Sequence, residues 1–172
     1  MSNYRRFYQK GGCYFFTVVT HGRQHVLKSW ENINILRESF QSVMRQRPFH
    51  IDAMVVLPDH IHCIWTLPDN DMDFSTRWRL IKRQFSSRIN ALPAVSPEKK
   101  VWQRRFWEHW IRDDHDFYNH MNYIHYNPVK HGYASRPDDW EYSSYRKKVA
   151  QGACPVCDVN NVPDALERNY LE

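Results

Sequence analysis

Four stretches of the chain have the residue patterns of β-strands: the first is rich in β-branched and aromatic residues, the second and third alternate hydrophobic and polar positions, and the fourth alternates aromatic residues with arginines. These stretches are residues 13–20, 49–57, 60–67 and 101–110. In the second stretch, one face is expected to carry Ile51, Ala53, Val55 and Leu57, and the opposite face Asp52, Met54 and Val56. In the third, His60 and His62 share one face, while the other face is apolar with Ile61, Cys63, Trp65 and Leu67.

Apolar residues at helical spacing predict three helices, over residues 31–47, 73–90 and 113–126. The second has an apolar stripe made of Phe74, Trp78, Ile81, Phe85 and Ile89. The third opens with an acidic first turn that suits the positive end of a helix, formed by Asp113, Asp114 and Asp116. We expect Asn127-Pro128 to end it.

The order strand, helix, strand, strand, helix, strand predicts an α+β protein with a ferredoxin-like (RRM-like) antiparallel sheet and its helices on one face. The third helix is an addition to this ferredoxin-like order. His60 and His62 then point either toward the packed helices or into the free face, where this helix could pass near them. We assign residues 1–150 to one domain and residues 151–172, where the pattern becomes irregular, to a C-terminal tail.

Charge and composition limit the classes of protein to which this chain can belong. The formal net charge is +5 and the pI is about 9.1, so the field of the protein favours polyanionic partners. A hydrophobic content of 42% argues against a long disordered chain, and no apolar run is long enough for a membrane span. We therefore expect a cytoplasmic protein. Cys154 and Cys157 form a C-x-x-C without a second pair, and we assign it no function.

Two chemical patterns stand out. His60 and His62 project from one strand face at a spacing that allows both imidazoles to bind one metal ion, but a third ligand is needed; the alternative is a polar strand face. Asp59 either orients the imidazole of His60 as a hydrogen-bond acceptor or stabilises the turn that it forms with Pro58. On the third helix, Tyr123 and Asn127 lie one turn apart, so a phenol and an amide oxygen can face the histidines together. The alternative is that Tyr123 is an amphipathic residue that only packs over the core.

Three motifs resemble the REP-associated tyrosine transposases, relatives of the small insertion-sequence transposases with a His-hydrophobe-His motif and one tyrosine. The motifs are Leu-Pro-Asp-His-Ile-His at 57–62, Arg-Phe-Trp-Glu-His at 105–109 and Tyr-Ile-His-Tyr-Asn-Pro-Val-Lys-His-Gly at 123–132. The similarity runs from residue 4 to about residue 145. Three motifs in the same order are more specific than any one of them.

The resemblance implies that Tyr123 is the nucleophile and that His60 and His62, with Asn127, hold Mg²⁺ or Mn²⁺. Tyr126 would replace Tyr123 if it pointed at the metal instead. The implied reaction is transesterification: the tyrosine attacks a DNA phosphodiester, keeps the 5′-phosphate and releases a 3′-OH. The implied substrate is single-stranded DNA at the foot of a short palindromic hairpin near a tetranucleotide, bound by a monomer or homodimer in a bacterial cytoplasm, at the nucleoid.

Basic residues are candidates for DNA contacts. They are Arg5, Arg6, Lys10, Arg77, Arg79, Lys82, Arg83, Arg104 and Arg105. Trp102, Phe106 and Trp107 either stack on bases or pack in the core. Two other functions stay open at this stage. One is a ferredoxin-like module that binds single-stranded nucleic acid without catalysis, and the other is metal-dependent hydrolysis by water.

Overall fold

The computed structural model describes residues 6–90 and 100–152 of the chain. Within this part, the strands are β1 (Cys13–Val19), β2 (His50–Val56), β3 (His60–Thr66) and β4 (Trp107–Trp110). The α-helices are α1 (Trp30–Gln46), α2 (Phe74–Asn90), α3 (Asp114–Lys130) and the short α4 (Tyr145–Ala150). Short 3-10 helices occur at His21–Arg23, Val26–Lys28 and Pro137–Asp139. No helix in the described ranges is long and apolar enough to cross a membrane.

The strands form one antiparallel sheet in the order β2-β3-β1-β4, which confirms the predicted ferredoxin-like arrangement. Its centre is the pairing of β1 with β3, in which Val19 lies opposite His60 and Thr17 opposite His62. Both histidines therefore lie near the middle of the sheet, at the end where β1 leaves it.

Each face of the sheet has its own hydrophobic core. On one face, the apolar side of β3, including Ile61 and Trp65, packs with the apolar residues of α1 and α2. On the other face, Phe15 and Ile64 pack with Tyr123 and Ile124 of α3. Because side chains alternate along β3, His60 and His62 share the face that α3 covers.

A β-bulge in β2 overturns part of the predicted alternation. The pairing register shifts between Ile51 and Ala53, so Asp52 is the extra residue. As a result, Ile51 packs on the α1/α2 face together with Met54, whereas Ala53 packs on the α3 face. A simple two-residue period placed Ile51 and Ala53 on the same side, which is wrong because the bulge adds a residue to one strand only.

The last strand is shorter than its sequence pattern predicts. Of residues 101–110, only Trp107–Trp110 forms β4, while Trp102 makes an isolated bridge to Thr20. The main-chain carbonyls of Gln103 and Arg104 accept from Lys82 Nζ, at 2.5 and 3.4 Å. Residues 101–103 still bond to the end of β1, because Val101 O accepts from His21 N and Gln103 N donates to Val19 O, both at 2.9 Å, but the next carbonyls turn to α2. Trp102 packs in the core.

Helix α3 continues past the position at which we expected it to end. Pro128 lies inside its last turn, and His131 N donates to Asn127 O at 3.1 Å beyond it. A proline this close to the end removes little of the hydrogen-bond ladder. Gly132, with φ of 70°, closes the helix in the left-handed conformation that glycine adopts without strain. The extension adds Lys130 to the helix.

A cluster of polar side chains ties α3 to β4. We call it the Asp116 clasp, and it consists of His109, Arg112, Asp116 and His120. Asp116 Oδ2 accepts from His109 Nε2 at 2.8 Å and from Arg112 Nε at 3.2 Å, and Oδ1 lies 3.1 Å from His120 Nδ1. Burial alone would raise the pKa of Asp116, but the hydrogen bond and charge of His109 outweigh it and hold the pKa below its usual value.

Removing the Asp116 carboxylate is expected to destabilise the fold. Asp116→Ala leaves several donors without their acceptor, so we expect the free energy of unfolding to fall by about 2–3 kcal/mol. Urea unfolding followed by tryptophan fluorescence measures this difference. Asp114→Ala, in the same turn but exposed, is the matched control and should cost less than about 1 kcal/mol.

The effect of Asp116→Ala should also depend on pH. Because the folded-state pKa of Asp116 is lowered, its contribution is complete above the unfolded-state pKa of about 3.9 and is lost as pH falls through the folded-state value. The stability difference between the wild-type protein and the variant should therefore shrink below about pH 4. A difference that stays constant through this range would contradict the ion-paired state of the carboxylate.

Candidate active site

The two histidines of β3 are both buried and both held by hydrogen bonds at Nδ1. The rings of His60 and His62 lie 4.8 Å apart, and the exposed fractions of the two residues are 3% and 2%. His60 Nδ1 lies 2.6 Å from Asp59 Oδ1, and His62 Nδ1 lies 2.9 Å from Thr17 Oγ1. With Nδ1 engaged in each ring, Nε2 is the nitrogen that would bind a metal ion.

Asp59 connects the first histidine to a surface cation. Its second carboxylate oxygen, Oδ2, lies 3.4 Å from an Arg23 guanidinium nitrogen. Burial alone would raise the pKa of Asp59, but the hydrogen bond and charge of His60, followed by Arg23, outweigh it and lower the pKa. Asp59 is therefore an ionised acceptor for His60 Nδ1–H, which is the orienting role that the sequence left open beside a turn role.

The protonation of His62 suits metal binding. The ring is buried, and this burial, followed by the positive charges of His60 and His131, holds the pKa of His62 well below its usual range. The imidazole is therefore neutral near physiological pH, and the neutral form is the one that can act as a ligand.

Tyr123 approaches the histidines from α3. Its ring lies 5.2 Å from the ring of His62 in an edge-to-face arrangement, and the residue is 4% exposed. Phe15 fills the space beside them, 5.5 Å from His62 and 6.0 Å from Tyr123 between ring centroids. The structure thus brings together the tyrosine and the histidine pair, which are 61 and more residues apart in the chain.

Asn127 lies one helical turn beyond Tyr123 and is fully buried. Among residues 6–90 and 100–152, neither Oδ1 nor Nδ2 of its amide has a hydrogen-bond partner. A buried amide without partners costs on the order of 1–3 kcal/mol, so such a group generally serves a ligand or an ordered water. An amide oxygen is a hard ligand that suits Mg²⁺ or Mn²⁺ beside imidazole nitrogens.

Three residues that the sequence analysis did not assign to this site belong to it. Thr17 holds His62, Arg23 pairs with Asp59, and the ring of His131 lies 5.3 Å from that of His60. Only the strand register places Thr17 opposite His62. The position of His131 depends on the extension of α3 beyond Pro128, which the sequence pattern did not predict.

A second group with the composition of a metal site lies in the Asp116 clasp. In the described part of the chain, one ligand atom from each of His109, Asp116 and His120 lies within 4.8 Å of the others. His120 Nδ1 also lies 2.8 Å from the main-chain oxygen of Asp116, to which it donates. Because Arg112 and the imidazoles already satisfy the carboxylate, the geometry is that of a hydrogen-bonded ion pair.

Arg77 does not belong to an exposed basic face, contrary to the expectation that it contacts DNA. It is 1% exposed. Its guanidinium donates to Asp71 Oδ2 at 2.7 Å and to the main-chain oxygens of Asp73 and Pro48 at 2.8 and 2.7 Å. Arg77 therefore fastens the start of α2 to the turn between α1 and β2.

The basic residues near the N-terminus have different surroundings. Arg6 lies over the ring of Phe106 at 4.1 Å, donates to Ser75 Oγ at 2.7 Å and lies 3.5 Å from Glu108. Lys10 is exposed, and Arg5 lies outside the described residues. Arg6 is thus engaged with the protein itself, and Phe106 packs beneath its guanidinium.

The other basic residues surround a groove between α2 and residues 100–106. The groove has a volume of about 480 Å³, and its cationic lining residues are Arg79, Lys82, Arg83, Lys100 and Arg104. Arg105 is exposed beside it. Burial, followed by the charge of Arg6, lowers the pKa of Lys82 to about 8. Gln103 N donates to Val19 O at 2.9 Å, so the groove lies at the same end of β1 as His60, but on the α2 face of the sheet, opposite the face that carries the histidines.

Comparisons with known proteins show the family of this chain. The family described as "Transposase IS200 like" matches residues 9–127. A REP-associated tyrosine transposase of Escherichia coli K12 is 46% identical over 95% of this chain and 94% of its own length. A Haemophilus influenzae relative is 44% identical over 87% of this chain and 88% of its own length.

A solved structure agrees as well. The structure of a REP-associated tyrosine transposase bound to a REP hairpin is 46% identical, covers 95% of this chain and 94% of that chain, and superimposes with a TM-score of 0.84. The family match over more than half of the chain and the 46% identity to a full-length relative make the chain a member of the IS200-like transposases and, among them, of the REP-associated tyrosine transposases, which are DNA transposases with a tyrosine nucleophile.

Proposed function

We propose that this protein cleaves and rejoins single-stranded DNA at repetitive palindromic hairpins, with Tyr123 as the nucleophile and a divalent metal ion at His60, His62 and Asn127. The observation that carries the proposal is the contact of the Tyr123 ring with His62 at 5.2 Å. It joins the candidate nucleophile to the candidate metal ligands in one buried layer between α3 and the sheet.

The residues at this layer suit a hard divalent cation. His60 and His62 each use Nδ1 for a hydrogen bond, and the buried amide of Asn127 lacks a partner among the described residues. A bound Mg²⁺ or Mn²⁺ ion would polarise the scissile phosphate and neutralise charge in the transition state. The chain's own contribution is to hold the two imidazoles in a fixed orientation through Asp59 and Thr17, while burial keeps His62 neutral.

The reaction exchanges one ester for another. The Tyr123 oxygen forms a bond to phosphorus, and the bond from phosphorus to the 3′-oxygen breaks. The phenol loses its proton, the 3′-oxygen gains one, and the 5′-phosphate stays on the tyrosine. Attack by another 3′-OH reverses these steps and rejoins the strand. No external energy source is required, because a phosphodiester is kept throughout.

The basic groove supports DNA as the substrate. Its cations can neutralise phosphates, and it begins at the end of β1 that lies opposite His60. A strand lying in the groove would therefore have to pass around this end of the sheet to reach the candidate catalytic residues on the α3 face. The relative whose structure contains a REP hairpin supports a hairpin of this class, and repeats flanking the gene are the first sequences to test.

A second candidate function is binding of single-stranded nucleic acid without catalysis. The observation in its favour is that Tyr123 is 4% exposed and packs among core residues. In that case the tyrosine would be a packing residue, and removing its hydroxyl would leave every activity unchanged. The first experiment separates the two functions.

We expect Tyr123→Phe to abolish cleavage while DNA binding is retained, because the ring stays and only the attacking oxygen is lost. A hairpin strand labelled at its 3′ end is incubated with Mn²⁺, and a denaturing gel reveals DNA attached to protein. The matched control is Tyr126→Phe on the same helix, which should keep wild-type activity. Loss of the adduct in Tyr126→Phe alone would assign the nucleophile to Tyr126, and cleavage without any adduct would indicate attack by water.

We expect His62→Ala to abolish binding of one Mn²⁺ ion, measured by isothermal titration calorimetry without DNA. Asp59→Asn should weaken Mn²⁺ binding by about 10–100-fold, because the orienting acceptor of His60 loses its charge. His50→Ala, which removes an exposed histidine paired with Asp52, is the control and should bind normally. If His120→Ala loses the ion and His62→Ala keeps it, the metal belongs to the Asp116 clasp.

We expect Arg79→Ala and Arg104→Ala each to weaken hairpin binding and to reduce the slope of log affinity against log salt by about one. Fluorescence anisotropy at several salt concentrations measures both quantities. Arg45→Ala removes an equally exposed arginine on α1 outside the groove and should change neither. Equal slopes in all proteins would contradict a DNA path through the groove.

A further inference from the structure

Lys130 lies beside the proposed nucleophile. Its Nζ atom is 5.4 Å from the centroid of the Tyr123 ring. The two residues are seven positions apart on α3, so with Asn127 between them they form one stripe along the helix at i, i+4 and i+7. The stripe carries the candidate nucleophile, the candidate amide ligand and a cation on the side of α3 that faces the histidines.

The positive charge of Lys130 acts on two histidines of the site, His62 and His131. It contributes to lowering the pKa of His131, after burial and the charge of His60, and is the last of the causes that lower the pKa of His62, after burial, His60, His131 and Arg23. The ring of His131 in turn contacts His60. The cation is therefore close to Tyr123, whose ring contacts His62. A site that already contains this positive charge, before any metal ion binds, is suited to a strongly anionic group.

We infer that Lys130 is a further catalytic residue, which donates a charge-assisted hydrogen bond to a non-bridging oxygen of the phosphate that is transferred to Tyr123. This inference rests on the proposed function. As the bond from the Tyr123 oxygen to phosphorus forms and the bond to the 3′-oxygen breaks, negative charge on the non-bridging oxygens is stabilised by the ammonium group. Lys130 keeps its proton through the step, so the ester exchange stays balanced.

The position of Lys130 has a second explanation that an experiment must separate from catalysis. Lys130 is the last residue of α3, where a cation stabilises the negative end of the helix. A residue with only this role affects stability, and its removal changes activity only as far as the fold is weakened. Lys147 offers a matched comparison, because it is an exposed lysine in the last turn of α4.

The test compares Lys130→Met, Lys130→Arg and Lys147→Met with the wild-type protein. Single-turnover formation of the DNA adduct in Mn²⁺ is measured together with hairpin affinity and Mn²⁺ affinity without DNA. We expect Lys130→Met to slow adduct formation by about 10²–10³-fold. Lys130→Arg should recover part of this loss because the charge remains. Lys147→Met should react at the wild-type rate.

The affinity for Mn²⁺ distinguishes catalysis from a structural role. Removing a cation near His62 should leave Mn²⁺ binding unchanged or make it tighter, whereas a disturbed α3 would weaken it. Adduct formation by Lys130→Met within about threefold of the wild-type rate would overturn the inference, and so would a loss of Mn²⁺ affinity that accompanies the slower reaction. If the wild-type protein forms no adduct, the proposed function fails and the inference fails with it.

Discussion

The antiparallel pairing of β1 with β3 is the constraint on which the candidate site depends. It places Thr17 opposite His62 and Val19 opposite His60, and in this register the Thr17 hydroxyl meets the imidazole of His62. A slip of one residue would turn both histidines toward α1 and α2, into a layer without polar partners. The apolar side of β3, with Ile61 and Trp65 in that core, opposes such a slip.

Helix α3 completes the site because it covers the second face of the sheet. Its apolar residues bury against β2 and β3, and the same packing brings Tyr123 to His62. The Asp116 clasp fastens the first turns of this helix to β4, and Gly132 closes its end. Catalytic geometry in an enzyme of this kind depends on small displacements, and a helix anchored near both ends provides the required precision.

Polar contacts between distant segments explain two of the sequence predictions that were wrong. The strand and helix order, the faces of β3 and the pairing of Tyr123 with Asn127 follow from local periodicity, and periodicity is a property of neighbouring residues. Arg77 has the spacing of an exposed cation but is buried, with acceptors from residues 47–48 and from Asp71. Residues 101–106 alternate like a strand, but the carbonyls of Gln103 and Arg104 accept from Lys82 of α2, and the regular ladder with β1 begins at Trp107.

The sequence by itself determined the ferredoxin-like order, the face shared by His60 and His62, the helical stripe with Tyr123, and the family to which the motifs point. Only the tertiary structure decided that α3 covers the histidine face, that Thr17 and Asp59 hold the two imidazoles, and that Lys130 lies beside Tyr123. The physical reason is range. Side-chain alternation and helical spacing are fixed within a few residues, whereas the packing of α3 on the histidine face and the contact of Thr17 with His62 join segments that are distant in the chain. Asp59 and Lys130 are close in sequence to their partners, but the position of Lys130 depends on the extension of α3 beyond Pro128.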